Sequence, residues 1–176
     1  MRAVLIVNPN ATSTTPAGRD LLAHALESRT KLSVIHTDHR GHAVEIAQRA
    51  ARGGVDVLIV HGGDGTVNEV VNGIVGELGP GAPGPAVGVV PGGSANVFAR
   101  ALGISPDPIE ATNQLVDLLG DYRRNRRWRR IGLMDCQERW GVFTAGMGVD
   151  GDVVAAVEAQ RAKGRKVTAS RYIRVA

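Results

Sequence analysis

The chain has 176 residues, which is enough for one well-packed core and part of a second. Hydrophobic residues make up 43% of it and aromatic residues only 3%, so its core must consist of Val, Leu, Ile and Ala, a composition that suits helices packed on a buried parallel sheet. A single cysteine excludes an internal disulfide framework, and no apolar run approaches the ~20 residues that a membrane-spanning helix needs.

Strands and helices alternate through the first two thirds of the chain. Thr15 is the predicted cap of a first helix that begins at Pro16, and Gly53-Gly54 ends a second helix. The inner face of the first helix is predicted to carry Leu21, Leu22, Ala25 and Leu26. Strands are predicted over residues 3–7, 32–37, 55–60 and 86–90.

Short strand–helix connections predict parallel strands joined by right-handed crossovers. Beyond about residue 123 the pattern changes: segments 129–136 and 140–145 resemble an antiparallel pair, and helices follow from Val153 and toward Ala176. We therefore predict an α/β protein, with a three-layer parallel-sheet domain over residues 1–130. Residues 131–176 are predicted to be the start of a β-rich second domain.

Glycine loops follow the third and fourth predicted strands. The first reads HGGDGT from His61, and the second reads PGGS from Pro91. In open α/β sheets ligands bind beyond the carboxyl ends of the strands. Each loop also leads into a helix N-terminus, where free N–H groups and the helix dipole favour an anion. Together the loops predict a cradle for a polyphosphate.

Neither of the two common phosphate motifs is present. A P-loop requires a Gly-Lys dipeptide, which the chain lacks. The dinucleotide motif G-x-G-x-x-G fails because Asn68 stands where its third glycine belongs. A tight glycine turn without a ligand is the alternative interpretation.

Asp64 lies among N–H groups that favour phosphate, so its carboxylate would repel the ligand unless a cation sits between them. This predicts Mg²⁺ bridging Asp64 and the phosphates. Thr66 and Glu69 also fit a capping box, and Ser94 could cap a helix over residues 95–102. His61 is interpreted as structural, and the histidines near Asp38 do not by themselves predict a metal site.

The segments GGDGTVNEVVNG, PGGSANVFARALGI and VNPNA resemble the diacylglycerol kinase catalytic domain family, which includes sphingosine kinases and bacterial lipid kinases. The later segment FTAGMGVDGDVV resembles the start of that family's β-rich second domain. NAD kinases share GGDGT, but Asn68-Glu69 and Asn96 select the lipid-kinase branch. The resemblance implies the fold of NAD kinases and diacylglycerol kinases, ATP as phosphoryl donor, Mg²⁺, and a lipid hydroxyl as acceptor, most simply that of diacylglycerol.

The resemblance also implies the site. Asp64 would be the catalytic and metal-binding residue. Ser94 replaces the usual Thr and keeps its hydroxyl, whereas the family's D-G-E segment, which carries the candidate general base, is absent. The chain therefore resembles the nucleotide-binding part of a lipid kinase. The implied nucleotide contacts are Asn8, Pro9, Asn10, Ala11, Thr12, Thr37, Gly62, Gly63, Gly65, Thr66, Val67, Asn68, Glu69, Gly92, Gly93, Ser94 and Asn96.

The net charge is +4, with six arginines around Trp128 between Arg123 and Arg130. Such a patch favours a transient contact with an anionic membrane surface, or is simply solvated. We expect a cytoplasmic protein that contacts the inner membrane surface peripherally, without nucleic acid, and with strand pairing favouring a homodimer. The functional alternatives are an NAD kinase-like enzyme and a non-catalytic ATP-binding module.

Overall fold

The computed structural model describes residues 1–12, 14–125, 128–144 and 149–162. Strands and helices alternate as predicted, and the predicted helix toward residue 176 lies outside the described residues. The elements are β1 (Arg2–Val7), α1 (Pro16–Glu27), β2 (Lys31–His36), α2 (His42–Arg52), β3 (Val57–Gly62), α3 (Asp64–Leu78), β4 (Ala86–Pro91), α4 (Val97–Ala101), α5 (Pro108–Asn125), β5 (Met134–Cys136), β6 (Arg139–Gly141) and α6 (Val149–Ala162).

The first four strands form one parallel sheet in the order β2-β1-β3-β4. Val7 pairs with His36 on one side and with His61 on the other. The chain adds β2 on one side of β1 and β3 on the other, so the direction of winding reverses between β1 and β3. A crevice at such a switch point is where α/β sheets bind ligands. The loops after β1, β3 and β4 therefore share the ligand-binding edge.

Helices cover both faces of the sheet, which confirms the predicted three-layer α/β architecture. Strands β1 and β3 are almost wholly buried, as expected for parallel strands with two covered faces. Helices α2 and α3 contact one face, toward which Val4 and Leu58 point. The other face packs against α1 and α5 through Ala3, Leu5, Val7, Leu22, Leu26, Val57, Ile59, Val90, Ala111, Leu115 and Leu119.

Helix α1 begins as predicted. The Thr15 hydroxyl accepts a hydrogen bond from the Gly18 N–H at 3.1 Å, and Leu22 and Leu26 are buried. The prediction that Leu21 also faces inward is wrong, because its side chain is 54% exposed. Residues four apart share a helix face, whereas neighbouring residues are about 100° apart, so Leu21 lies off the stripe of Leu22 and Leu26.

Helices α2 and α3 approach each other closely at Gly73. A Cβ atom added at Gly73 would lie 2.5 Å from the Val44 carbonyl oxygen and 2.8 Å from the Ala47 Cβ atom. The nearest of these atoms belongs to the backbone, so it cannot move aside without shifting the helix. A Cβ atom added at Gly76, one turn further along α3, would meet only the Gln48 Nε2 atom, at 3.7 Å. The helix contact therefore requires glycine at position 73 but not at position 76.

Gly73→Ala is expected to lower the free energy of unfolding by about 1–3 kcal/mol, because the added methyl group overpacks the α2–α3 contact. Gly76→Ala is expected to raise it by about 0.5–1 kcal/mol, because alanine is the better helix former and meets no close neighbour. Urea unfolding followed by circular dichroism measures both. Equal effects of the two substitutions would contradict the close helix contact.

The chain after α5 contains the predicted antiparallel pair, β5 and β6. Each strand has three residues and is shorter than predicted. Contacts divide the chain into two units, Met1–Val142 and Phe143–Ala176. Helix α6 lies in the second unit and begins at Val149, before the predicted Val153. Within the described ranges no helix combines the length and apolar character needed to cross a bilayer.

Candidate active site

The loop after β1 is fastened to α3 by Asn8. The Asn8 backbone N–H donates to the His61 carbonyl oxygen at 3.0 Å, and its side-chain Nδ2 donates to the Thr66 hydroxyl at 3.1 Å. Its Oδ1 accepts a hydrogen bond from the Asn10 N–H at 3.0 Å, which shapes the turn that follows. Asn8 therefore positions the predicted nucleotide loop over residues 8–12 beside the first glycine loop.

The two glycine loops touch each other through their backbones. The Gly92 N–H donates to the Gly62 carbonyl oxygen at 2.9 Å. A Cβ atom added at Gly93 would lie 2.6 Å from the Gly63 Cα atom, and one added at Gly92 would lie 3.1 Å from the Gly62 Cα atom. These glycines are therefore needed for the loops to approach each other, a reason that differs from the predicted access for phosphate.

Gly65 differs from these glycines. A Cβ atom added there would meet no atom within 4 Å. Gly65 is the second residue of α3, whose N-cap residue, Gly63, has no side chain that could cap the helix. The first N–H groups of α3 are therefore available to an anion in front of Gly65.

The predicted capping box at the start of α3 is wrong. Helix α3 begins at Asp64, so Thr66 is its third residue rather than its cap. The Thr66 hydroxyl accepts from Asn8, and the Glu69 carboxylate accepts from the Gly41 N–H at 3.1 Å in the loop before α2. Partners that are distant in the sequence have replaced the local pairing.

Asp64 links α3 to α4. Its Oδ1 accepts a hydrogen bond from the Phe98 N–H at 3.0 Å, in the first turn of α4, and its side chain is half-buried. An ionised carboxylate offers about four lone-pair sites, so this bond leaves capacity for a cation. The geometry gives Asp64 a structural role in addition to the predicted metal-binding one.

The second loop is shaped by Asn96 rather than by Ser94. Asn96 has a positive φ of 47° and is the N-cap residue of α4, so the predicted helix over residues 95–102 capped by Ser94 is wrong. Its Oδ1 accepts from the Gly93 N–H at 2.9 Å, and its Nδ2 donates to the Gly93 carbonyl oxygen at 2.7 Å. Asn tolerates the left-handed conformation that this ring of bonds requires. Ser94 is left exposed on the loop.

Three other predicted residues lie in different surroundings. Thr37 is buried at the end of β2, where its N–H donates to the Val7 carbonyl oxygen at 2.9 Å. The Asn68 Oδ1 atom is buried without a hydrogen-bond partner among the described residues, which is unusual for a buried acceptor. Val67 points into the core, and its N–H bonds to Gly63, so the structure does not bring this residue to the site.

Sequence reasoning missed Asn72. Its Nδ2 donates to the Trp140 carbonyl oxygen and its Oδ1 accepts from the Trp140 N–H, both at 2.9 Å. This pair attaches β6 to the middle of α3. Nothing local to Asn72 indicates it, since the partner lies 68 residues away.

His61 is a buried connection between the strand ends, as its structural interpretation predicted. It is 2% exposed, with Nδ1 3.3 Å from the Val90 carbonyl oxygen and Nε2 3.2 Å from the Thr14 hydroxyl. A neutral ring that donates from Nδ1 and accepts at Nε2 satisfies both contacts. Burial lowers the pKa of His61, and the bond to Val90 opposes this effect in part.

Acid is expected to destabilise the fold through His61. Because its pKa is lower in the folded chain than in the unfolded one, the unfolded chain binds the proton first, and the free energy of unfolding falls as pH drops below about 6.5. His61→Asn keeps a donor toward Val90 and should weaken this pH dependence. Urea unfolding at neutral and mildly acidic pH measures this dependence, with His24→Asn on the exposed face of α1 as the control. Identical pH profiles for the parent and His61→Asn would refute the assignment.

A three-layer α/β domain whose glycine loops meet at the ends of adjacent parallel strands has the architecture of the α/β nucleotide-binding domains. Residues 2–122 match the family described as Diacylglycerol kinase catalytic domain, and the chain belongs to that family. The resemblance predicted from the glycine loops is therefore confirmed.

Similar sequences and a similar crystal structure support the family assignment. A Chromohalobacter salexigens protein named "Probable lipid kinase YegS-like" is 40% identical over 96 residues, covering 54% of this chain and 30% of that protein. A Bacillus subtilis diacylglycerol kinase is 40% identical over 116 residues, covering 61% of this chain and 35% of that protein. The crystal structure of a Bacillus anthracis diacylglycerol kinase superposes with a TM-score of 0.60 at 34% identity, covering 66% of this chain and 42% of that one. The chain thus spans about a third of the length of these curated relatives.

Proposed function

We propose that this chain supplies the nucleotide-binding part of an ATP-dependent lipid kinase, which transfers the γ-phosphoryl group of ATP to a lipid hydroxyl. Diacylglycerol is the simplest acceptor, and the product would be phosphatidic acid. The observation that carries the proposal is the open space at Gly65, in front of the N-terminus of α3 and beside two glycine loops in backbone contact.

The phosphates would lie across the two glycine loops. The first N–H groups of α3 would bind phosphate oxygens, and the exposed Ser94 hydroxyl would donate from the second loop. Residues 8–12 and Thr37, on the loops after the neighbouring strands β1 and β2, would contact the rest of the nucleotide. Phosphoryl transfer depends mainly on positioning and charge stabilisation, which these groups would provide.

The site fits Mg²⁺. Asp64 would hold the ion, because its carboxylate keeps free lone pairs after bonding to Phe98 and lies at a helix end that favours phosphate. When bound, Mg²⁺ would neutralise phosphate charge. Asp64 is therefore proposed as the catalytic residue of this part of the site, and the group that orients the lipid hydroxyl would come from the acceptor part.

Membrane contact is proposed through the segment after α5. Trp128, Arg129, Arg130 and Ile131 are all exposed, and Trp128 and Ile131 are 55% and 41% exposed. An exposed indole flanked by cations matches the boundary between water and anionic lipid headgroups. A cytoplasmic protein that binds the inner membrane surface transiently would reach its lipid substrate in this way. A homodimer stays a prediction.

Transfer of labelled phosphate from [γ-³²P]ATP and Mg²⁺ to diacylglycerol in mixed micelles tests the proposed function. Labelled phosphatidic acid formed by the chain would support the lipid kinase activity and show that these residues also hold the acceptor site, and the same assay with NAD⁺ as acceptor tests the NAD kinase-like alternative. ATP binding without transfer to either acceptor is the result expected if the chain supplies the nucleotide-binding part and does not complete the reaction by itself. A chain that binds no ATP would contradict the proposal.

A further inference from the structure

We propose that Asp38, His39 and His42 form a binding site for one divalent transition-metal ion, in the loop between β2 and α2. The ligand atoms of these three side chains all lie within 4.8 Å of one another. They come from a segment of five residues, DHRGH. This site is separate from Asp64, and the inference does not rest on the proposed kinase activity.

The two imidazole rings converge on one carboxylate oxygen. The Nδ1 atoms of His39 and His42 both contact the Asp38 Oδ1 atom, the second at 2.7 Å. The rings stack in parallel, with centroids 4.8 Å apart and planes inclined by 4°. This arrangement gathers three potential ligand atoms within 4.8 Å of one another, a spacing from which a metal ion can draw them together.

No protonation state of His42 satisfies both contacts of its Nδ1 atom. The His42 Nδ1 atom lies 2.7 Å from the Asp38 carboxylate oxygen, to which it must donate, and 3.2 Å from the Asp38 backbone nitrogen, from which it must accept. One ring nitrogen cannot donate and accept at once. A bound cation relieves the conflict between the ring and the carboxylate, because it takes the lone pairs of His42 Nδ1 and Asp38 Oδ1 together, whereas the Asp38 N–H then needs another acceptor.

A neighbouring carboxylate supports the site from outside. The Glu45 Oε1 atom lies 3.4 Å from the His39 Nε2 atom, on the side of the ring away from Asp38. A metal-bound histidine commonly directs its other ring N–H to a carboxylate, which fixes the ring and raises its basicity.

The ligand set selects the type of ion. Two imidazoles and one carboxylate suit Zn²⁺ or a similar transition metal, whereas Mg²⁺ prefers oxygen ligands. Tetrahedral zinc ligands at about 2.0–2.1 Å from the ion lie about 3.3 Å apart. The 2.7 Å pair of His42 Nδ1 and Asp38 Oδ1 would therefore have to open by about 0.6 Å, and atoms up to 4.8 Å apart would have to close by up to about 1.5 Å. Asp38 and His39 are 73% and 55% exposed and can move, while His42 is 15% exposed and anchors the site.

The site adjoins the nucleotide edge of the sheet. The Gly41 N–H, between His39 and His42, is bonded to Glu69 on α3, the helix that begins at the first glycine loop. An ion bound at Asp38, His39 and His42 would therefore stiffen the loop that Glu69 holds. We expect bound Zn²⁺ to raise the melting temperature of the chain.

Calorimetric titration of chelator-treated chain with ZnCl₂, without ATP, tests the site. All variants carry Cys136→Ser, because the exposed thiol could bind zinc itself. The parent is expected to bind one ion, and His39→Gln or Asp38→Asn should weaken binding at least about tenfold. His36→Gln and His24→Gln alter histidines outside the cluster and should leave the zinc affinity unchanged. Excess Mg²⁺ should not compete.

Bound Co²⁺, unlike Zn²⁺, absorbs visible light. Its absorption bands therefore report metal binding directly, which a purely structural role of the cluster would not produce. They should appear in the parent and in His36→Gln, and disappear in His39→Gln. Circular dichroism of each variant confirms that it is folded, which is expected because Asp38 and His39 are exposed. No zinc bound by the parent, or the same affinity in the parent and in both cluster variants, would overturn the proposal.

Discussion

Gly65→Val is expected to abolish ATP binding while leaving the chain folded. A Cβ atom at position 65 meets no protein atom within 4 Å, so the fold has room for the larger side chain. The same space is the proposed path of the phosphates at the N-terminus of α3, which valine would fill. We expect the dissociation constant for ATP to rise at least about 100-fold, equivalent to about 2.7 kcal/mol.

Calorimetric titration with ATP and Mg²⁺ measures this effect, and circular dichroism reports the fold. Gly76→Val is the matched control, because it makes the same change on an exposed part of α3 and meets only the Gln48 side chain at 3.7 Å. Gly65→Ala should fall between the parent and Gly65→Val. Unchanged ATP affinity in Gly65→Val would show that the phosphates do not lie at this helix end.

Asp64→Asn is expected to remove the effect of Mg²⁺ on ATP binding and, in a kinase whose acceptor part completes the site, to lower phosphoryl transfer about 10²–10³-fold. The loss follows from removing charge stabilisation at the transferring phosphate. The amide keeps an oxygen that can accept from the Phe98 N–H, so α4 should stay in place. The substitution therefore separates the proposed metal role of Asp64 from its structural role.

ATP titrations with and without Mg²⁺ measure the first effect, and the micelle assay measures the second. Asp56→Asn is the control, because Asp56 also accepts a backbone hydrogen bond, from Arg2 at 2.7 Å, but precedes β3 at the opposite edge of the sheet. Asp64→Ala lacks the acceptor for the Phe98 N–H and should also destabilise the fold by about 1 kcal/mol. Mg²⁺ dependence that survives in Asp64→Asn would assign the ion to other ligands.

Local pattern predicted the candidate site better than it predicted the bonds within it. Asp64, Thr66 and Glu69 belong to one short motif, and the motif does lie at the start of a helix after a buried strand. Its T-x-x-E spacing nevertheless led to a wrong cap, because Thr66 bonds to Asn8 and Glu69 to Gly41. A sequence window cannot include competitors that lie 58 and 28 residues away.

The glycines of the two loops also show a difference between what the sequence indicates and what the folded chain shows. The glycines at 62, 63, 92 and 93 are recognisable as loop residues from the sequence, but only the folded chain shows that Gly63, Gly92 and Gly93 are needed where the two loops meet and that Gly62 packs against Thr66. Gly65 belongs to the same run, yet it alone among these five has open space at its Cβ position. The difference arises from the packing of one loop on the other, which has no local signature.

The sequence by itself determined the alternation of strands and helices, the parallel sheet, and the glycine loops at helix N-termini. These features depend on apolar periodicity and backbone freedom over a few neighbouring residues. Only the tertiary structure decided the strand order β2-β1-β3-β4, the buried contacts of His61 with Thr14 and Val90, and the pairing of Asn72 with Trp140. Each depends on which distant segments meet, and that is settled by burying both faces of the sheet at once rather than by any local preference.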